Sequence, residues 1–179
     1  YEKLADDTDS KVKSNYGISS FGATTHSQNA KDSVDRERYS LAHTLTFDSV
    51  FADRINSQLT YQDSKTRQRT YESRFAAGQA QSRVRDSDYQ EKLWAFNSML
   101  NKAFMLGSSQ HQLTYGIDIK RTKSSNLRAG SDTLLSSGMV KAALPTSDFP
   151  DPTTSEYALF IQDQIQLGRW TLLPGLRYD

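Results

Sequence analysis

The sequence predicts an all-β protein, an antiparallel meander of about six strands that forms part of a transmembrane β-barrel. Three observations support this fold class. Segments of roughly ten residues alternate apolar and polar side chains. The polar member is usually Gln, Asn, Thr, Ser or Ala, and short links between segments alternate with long polar ones. Short turns on one side of a membrane and long loops on the other are typical of such barrels.

The first two predicted strands flank a short link at residues 48–54. Residues 38–48 read RYSLAHTLTFD, and residues 54–62 repeat their alternation of apolar and polar side chains. A period of two indicates a strand with one apolar face, so this part of the chain is predicted to form a hairpin. Its apolar face comprises Tyr39, Leu41, His43, Leu45, Phe47, Ile55, Leu59 and Tyr61.

The segment LWAFNSMLNKAF fits two patterns. In a strand, one face would carry Trp94, Phe96, Leu100 and Phe104. Helical spacing is also possible, because it would bring together Leu93, Phe96, Leu100 and Phe104. A strand is the preferred interpretation because the neighbouring segments are strands.

Three further strands are predicted at residues 111–120, 157–166 and 170–178. The first alternates cleanly, and the second departs from alternation only where Phe160 stands on the polar face. The third contains Pro174, which has no N–H to donate to a ladder. A bulge or weakened pairing is therefore expected at Pro174.

The two faces of these strands favour a membrane barrel. The polar face is poor in charged residues, as in a wet but crowded barrel lumen, whereas a sheet face in bulk water often carries Lys, Glu and Asp. Aromatic residues near the strand ends match interfacial girdles. A soluble β-sheet module whose aromatic residues fill its core is the alternative. The girdle residues are Tyr39, Phe47, Tyr61, Phe104, Tyr157, Trp170 and Tyr178.

Composition excludes several other classes. Hydrophobic residues make up 36% of the 179 residues, but nine Tyr, eight Phe and two Trp argue against disorder. A net charge of +1 argues against a nucleic-acid binder, and the lack of Cys excludes disulfides and thiolate metal sites. No apolar run reaches the roughly 20 residues of a transmembrane helix. Because the chain begins at Tyr1 without Met, a processed or cut N-terminus is expected.

The segment from Tyr157 to Asp179 reads YALFIQDQIQLGRWTLLPGLRYD. It resembles the barrel of TonB-dependent outer-membrane receptors, in which an aromatic-x-x-x-x-Gln-Asp strand leads through a short turn into a Pro-Gly-x-Arg-Tyr-Asp strand. The preceding FPDPTTSEYALFIQDQ, together with LTYGIDIK, is similar to the haem and haemoglobin receptor branch, and siderophore receptors share much of it. The matching residues are Tyr157, Gln162, Asp163, Trp170, Leu172, Pro174, Gly175, Arg177, Tyr178 and Asp179.

The resemblance implies a barrel of about 22 strands in the bacterial outer membrane, filled by an N-terminal plug domain. Residues 1–179 are then expected to be a partial barrel that lacks the plug domain and the remaining strands. The implied function is energised uptake without bond breaking, and no cofactor is intrinsic to the chain. Haem, a haemoprotein or a ferric siderophore would be the ligand, TonB would act through the plug, and lipid would surround the wall. No nucleic-acid partner is expected.

Candidate ligand-binding residues lie in the long polar connections, which are expected to be extracellular loops at Tyr1–Glu37, Asp63–Asp88 and Thr122–Glu156. His26 is a candidate because neutral imidazole can ligate haem iron, and Tyr71 is a second candidate because phenolate binds ferric iron. A solvated loop residue is the alternative for both.

The connection after residue 62 is rich in cations. Arg67, Arg69 and Arg74 are chosen as candidates because guanidinium groups could meet haem propionates, an anionic siderophore or lipopolysaccharide phosphates. An ordinary solvated loop is the alternative. The full set of cations in this connection is Lys65, Arg67, Arg69, Arg74, Arg83 and Arg85.

Three other features complete the sequence-based expectations. His111 adjoins a predicted periplasmic turn and is interpreted as structural. LLSSGMVKAAL is long enough for a short helix that could dock a partner or act as a lid. No phosphate-binding Gly loop, HExxH motif or Cys nucleophile is present, so no enzyme and no metal site is predicted. A porin-like channel or a barrel-anchored enzyme is the remaining membrane alternative.

Overall fold

The computed structural model describes residues 1–17, 19, 20, 22–147 and 150–179, so Phe149 of the FPDP motif lies outside the described residues. Within them the fold is all-β, with one 3-10 turn at Lys13–Asn15. The strands are β1 (Glu2–Lys11), β2 (Ser19–Ser20), β3 (Ala23–Thr46), β4 (Arg54–Ala76), β5 (Gln79–Leu106), β6 (Ser109–Leu134), β7 (Val140–Thr146), β8 (Thr153–Leu167), β9 (Trp170–Leu172) and β10 (Gly175–Tyr178).

These strands form one antiparallel sheet in the order β1-β3-β4-β5-β6-β8-β10. The short strands β2, β7 and β9 pair with β3, β6 and β8 respectively. Strands that follow one another in the chain are mostly neighbours in the sheet, which confirms the predicted antiparallel meander. The prediction of about six strands is wrong, since the described residues form ten, including strands in the polar connections. In the described part of the chain the edge strands β1 and β10 do not pair with each other, so the sheet is an open section of wall.

The strand register separates the side chains into two faces. Leu59 lies directly opposite Phe96, and the side of the sheet that carries them is called the outward face. Gln58 lies directly opposite Asn97, and the side that carries them is called the inner face. The period of two in the sequence therefore correctly predicted which residues share a face.

The sheet has no hydrophobic core. Among the described residues, the apolar ones that are buried are Ala30, Ala52, Ala76 and Ala158. Large apolar side chains are exposed on the outward face instead, with Leu41 at 72%. Soluble monomers rarely expose so large an apolar surface. The alternative of a soluble sheet whose aromatic residues fill its core is therefore not supported, whereas a lipid-facing wall is.

The three long connections are largely strand, and the expectation of long loops is wrong. β4 and β5 pair without interruption from Arg54↔Asn101 to Ala76↔Gln79, and β1 covers much of the first connection by pairing with β3. β5 alone has 28 residues, whereas a membrane-crossing strand needs about 9–11. The ladder therefore continues far beyond the apolar band, with polar side chains on both faces.

The links at the distal ends of these strands are short. Ala77 and Gly78 join β4 to β5 and both have positive φ, 49° and 76°, as in a two-residue type I′ turn. LLSSGMVKAAL is not the helix that its apolar composition suggested. It forms the end of β6, a turn and β7, closed by the Leu134 N–H donating to the Met139 carbonyl at 2.9 Å.

Two local expectations are resolved by the register. The segment LWAFNSMLNKAF is strand, as preferred over the helical interpretation. β9 and β10 stop on either side of Pro174 without a shift in register, since Leu172 pairs with Ile165 and Gly175 with Gln162. The Asp163 N–H still donates to the Pro174 carbonyl at 3.0 Å. Pairing is weakened there, and no bulge forms.

Phe160, the exception on the polar face, lies directly opposite Gly116. A Cβ placed on Gly116 would lie 2.8 Å from Phe160 Cζ and 3.1 Å from Met99 Cα. The aromatic ring therefore covers a glycine that leaves room for it, an arrangement known to support glycines in sheets.

Candidate functional site

Three arginines converge on one carboxylate on the inner face near the distal turns. Arg83 lies directly opposite Asp132 and donates from Nε to Oδ1 at 2.9 Å. Arg85 Nη2 lies 3.1 Å from the same oxygen, and Arg74 Nη2 lies 3.5 Å from Oδ2. The residues come from β4, β5 and β6, so only strand pairing brings them together. This group is called the arginine cluster.

Gly130 makes room for one member of the cluster. Arg85 lies opposite Gly130, and a Cβ there would lie 2.9 Å from Arg85 Cδ and 3.0 Å from its Nη1. Because glycine has no side chain, Arg85 can cross β6 and donate from Nη1 to the Ser131 carbonyl at 3.3 Å. A larger residue at position 130 would clash with the Val84 backbone oxygen as well as with Arg85, so it would have to shift the strands or the Arg85 side chain.

The electrostatics of the cluster are dominated by its positive charge. Burial raises the pKa of Asp132, but the hydrogen bond from Arg83 and the charges of Arg83, Arg85 and Arg74 outweigh it, so the pKa lies below its usual value. Burial and the neighbouring charge of Arg83 lower the pKa of Arg74. The Arg74 side chain is only 11% exposed, and its Nε has no hydrogen-bond partner in the described structure. A buried donor without a partner is available to an incoming acceptor.

A groove of about 610 Å³ lies beside the arginine cluster. Lys141 of β7 lies opposite Asp132 and lines it, as does Glu72, which lies opposite Arg83. The Thr25 hydroxyl donates to Glu72 Oε1 at 2.6 Å. Three cations and two carboxylates line the groove, and Arg85 adds a fourth cation through its contact with Asp132, so the charge favours an anion.

His26 follows Thr25, which lines this groove, but His26 is not itself a lining residue. The register of β3 against β4 shifts between Thr25 and Ser27, so His26 is the extra residue of a β-bulge. It is exposed and directly follows Thr25, which lies opposite Arg74. The predicted candidate His26 is thus next in the chain to the residue that lies opposite the predicted candidate Arg74.

The other three predicted site residues lie on the opposite side of the sheet. Arg67, Arg69 and Tyr71 alternate with the inner-face positions of β4 and therefore share the outward face. Arg67 Nε donates to Asp88 Oδ1 at 2.7 Å, and Arg69 Nη2 donates to Asp86 Oδ2 at 3.0 Å. The structure thus divides the predicted set into two groups instead of one cluster.

These outward ion pairs hold the guanidinium groups in their charged form. The hydrogen bond to Asp88, followed by its charge, raises the pKa of Arg67. The hydrogen bond to Asp86, followed by that to Tyr71, raises the pKa of Arg69. All three partners are exposed or half-buried, so the pairs contribute little to stability.

Sequence reasoning missed Asp132, Gly130 and Lys141. They lie in a connection that lacked hydrophobic periodicity, so nothing placed them on a strand or opposite Arg83. A strand assignment for the segment around Glu72 would have indicated which face of the sheet Glu72 occupies. A single sequence, however, does not show which residue of the next strand lies opposite it. Within the described residues, no group of three or more His, Cys, Asp or Glu side chains could hold a metal ion.

No helix in the described part of the chain has the length and apolar character required for a membrane span. No curated protein sequence matches the chain significantly. The whole chain, residues 1–179, matches the family model described as TonB dependent receptor-like, beta-barrel. With its continuous antiparallel sheet, exposed apolar face and polar inner face, the chain belongs to the TonB-dependent receptor β-barrel family of outer-membrane transport receptors.

Proposed function

We propose that this segment lines the extracellular entrance of an uptake receptor for an anionic iron complex, with haem as the first candidate ligand. TonB would drive import by acting on a plug domain. The observation that carries the proposal is the arginine cluster, which is held on the inner face by a single carboxylate. Binding and gated passage require no bond breaking.

The cluster has the chemistry that a carboxylate-bearing ligand needs. Arg74, Arg83 and Arg85 present planar donors, which suit the bidentate recognition of carboxylates. A ligand carboxylate could also accept from Arg74 Nε, which has no partner in the described structure. The guanidinium groups already surround one carboxylate, that of Asp132. A bound ligand carboxylate would take over some of the contacts that Asp132 now makes.

Haem is favoured over a siderophore by two features. The segments FPDPTTSEYALFIQDQ and LTYGIDIK resemble the haem receptor branch, and the bulged His26 supplies an imidazole next to the cationic groove. A ferric siderophore with carboxylate or catecholate groups would use the same guanidinium groups without needing His26. The role of His26 therefore separates the two ligand classes.

The test measures ligand binding by the complete receptor in detergent. Arg83→Gln with Arg85→Gln should weaken haem binding by about tenfold or more, since one charge-assisted hydrogen bond is worth roughly 1.5–3 kcal/mol. His26→Ala should weaken binding and change the haem absorption spectrum. Unchanged spectra in the His26→Ala receptor would remove His26 from the site.

The matched control is Arg67→Gln with Arg69→Gln. It removes two cations from the same part of the β4–β5 hairpin, but from its outward face. This receptor should bind haem as the unmodified one does. Equal losses in both double variants would show a nonspecific charge effect and would contradict the proposed site. Retained haem binding with Arg83→Gln and Arg85→Gln would also contradict it. If a ferric siderophore binds in a cluster-dependent way and haem does not bind, the ligand assignment is wrong and the site stands.

A further inference from the structure

An aromatic row marks where the apolar band of the outward face ends. Tyr39, Tyr61 and Trp94 lie directly opposite one another across β3, β4 and β5, and the Tyr61 and Trp94 rings are 4.6 Å apart. Tyr157 lies one register row closer to the apolar band, opposite Ile119. Amphipathic rings in such a row are typical of the level of lipid headgroups.

Three cations lie at or just beyond this aromatic row on the same face. Arg121 lies directly opposite Trp94, and Lys92 lies directly opposite Lys123 one register row further out. All three side chains are exposed. Two like charges directly opposite each other destabilise a sheet unless something compensates them.

The protein places one carboxylate next to these cations but forms no ion pair with them among the described residues. None of the three cations has a carboxylate within 4.0 Å among the ion pairs of the described residues. The carboxylate directly opposite Lys92 in the register is Asp63, and Asp63 accepts from Gln90 Nε2 at 2.8 Å. The cations further out are different, since Arg67 and Arg69 are each paired with an aspartate.

We propose that Lys92, Arg121 and Lys123 bind the phosphate groups of phosphorylated glycolipid in the outer leaflet of the surrounding membrane. The level of the aromatic row, the outward direction and the unpaired charge all fit an anionic headgroup. This site is separate from the groove, which lies on the inner face, and does not depend on the identity of the transported ligand. The lipid would stabilise the like-charged pair Lys92–Lys123 and anchor the wall at a fixed depth.

The test uses the complete receptor reconstituted in phosphatidylcholine vesicles that contain a diphosphorylated glycolipid. Bound glycolipid is counted by native mass spectrometry after extraction. Each cation removed should lower retention by about fivefold, since one basic residue near an anionic surface contributes on the order of 1 kcal/mol. The triple change to Gln should abolish retention, and the same vesicles with dephosphorylated glycolipid should show none.

Neighbouring residues provide a matched control. Arg121→Gln should lower glycolipid retention, whereas Lys120→Gln should not, because Lys120 points to the inner face and pairs with Glu156 at 3.2 Å. Lys92→Arg with Lys123→Arg keeps both charges and should retain the lipid, which separates charge loss from misfolding. Full retention by the triple Gln variant, equal losses for Arg121→Gln and Lys120→Gln, or equal retention of dephosphorylated glycolipid would overturn the proposal.

Discussion

His111 and Asp163 join β6 to β8 through a contact of 2.7 Å between His111 Nδ1 and Asp163 Oδ2. Both side chains lie on the outward face, near the end of the sheet that carries the short turns. His111 is 8% exposed, its ring stacks on Phe104 with centroids 4.8 Å apart, and its Nε2 lies 2.9 Å from Ser109 Oγ. The imidazole thus has partners at both ring nitrogens, whereas Asp163 Oδ1 is buried without a hydrogen-bond partner in the described structure.

Replacing one member of the His111–Asp163 pair should lower the free energy of unfolding more than replacing both members. His111→Leu leaves the Asp163 carboxylate without its partner on the apolar face, and an unsatisfied buried polar group costs about 1–3 kcal/mol. Asp163→Leu should cost a similar amount by leaving Nδ1 of the His111 imidazole unpaired. The double Leu variant should recover much of the loss. Urea unfolding of the receptor in lipid vesicles measures each free energy, and a double variant that only adds the two losses would contradict direct coupling.

Gly116 should not tolerate a side chain. Gly116→Ala brings Cβ into a clash with the backbone oxygen of Ser98 and to 2.8 Å from Phe160 Cζ, and overpacking of this kind costs about 1–3 kcal/mol. Gly175→Ala is the matched control, because the nearest atom to its new Cβ is 3.6 Å away. The measurement is the unfolding free energy of each variant, which should be lower for Gly116→Ala than for Gly175→Ala. Equal stability of both variants would show that the sheet has room for a side chain at position 116 and would contradict this prediction.

Asp132 should make the distal hairpins sensitive to acid. Its pKa is lower in the folded protein than its usual value of 3.8, so its stabilising effect is complete above that value and is lost as the pH falls through the folded pKa. Asp132→Asn should therefore open the distal part of β6 at neutral pH. Amide hydrogen exchange should show a difference between the two proteins at pH 6 that shrinks and then disappears as the pH falls below 3.8 and through the folded pKa. A difference that is independent of pH would contradict this assignment.

The strands beside the apolar band could be predicted because one face there is apolar and the other polar. Residues 111–120 alternate cleanly and lie within β6, and residues 157–166 alternate except at Phe160 and lie within β8. Beyond the aromatic row both faces are polar, so residues 63–76 carry no hydrophobic period even though they continue β4. Backbone hydrogen bonds to two neighbouring strands hold that part in place, and a single sequence does not reveal such neighbours.

The candidate site was only partly predictable for the same reason. The sequence indicated a cation-rich segment, and Arg74 was chosen from it together with Arg67 and Arg69. Which face each arginine occupies depends on unbroken strand geometry through a segment that was expected to be a loop. Asp132, which gathers three of the cations, belongs to a segment far away in the chain.

The sequence by itself determined the period of two, the short proximal turns and the family to which the chain belongs. Those features are local, because alternation and turn chemistry act over a few residues. The tertiary structure decided that the polar connections are strands and that Arg74 and Arg67 face opposite ways. It also decided that Arg74, Arg83 and Arg85 share Asp132, since register between strands sets which distant side chains become neighbours.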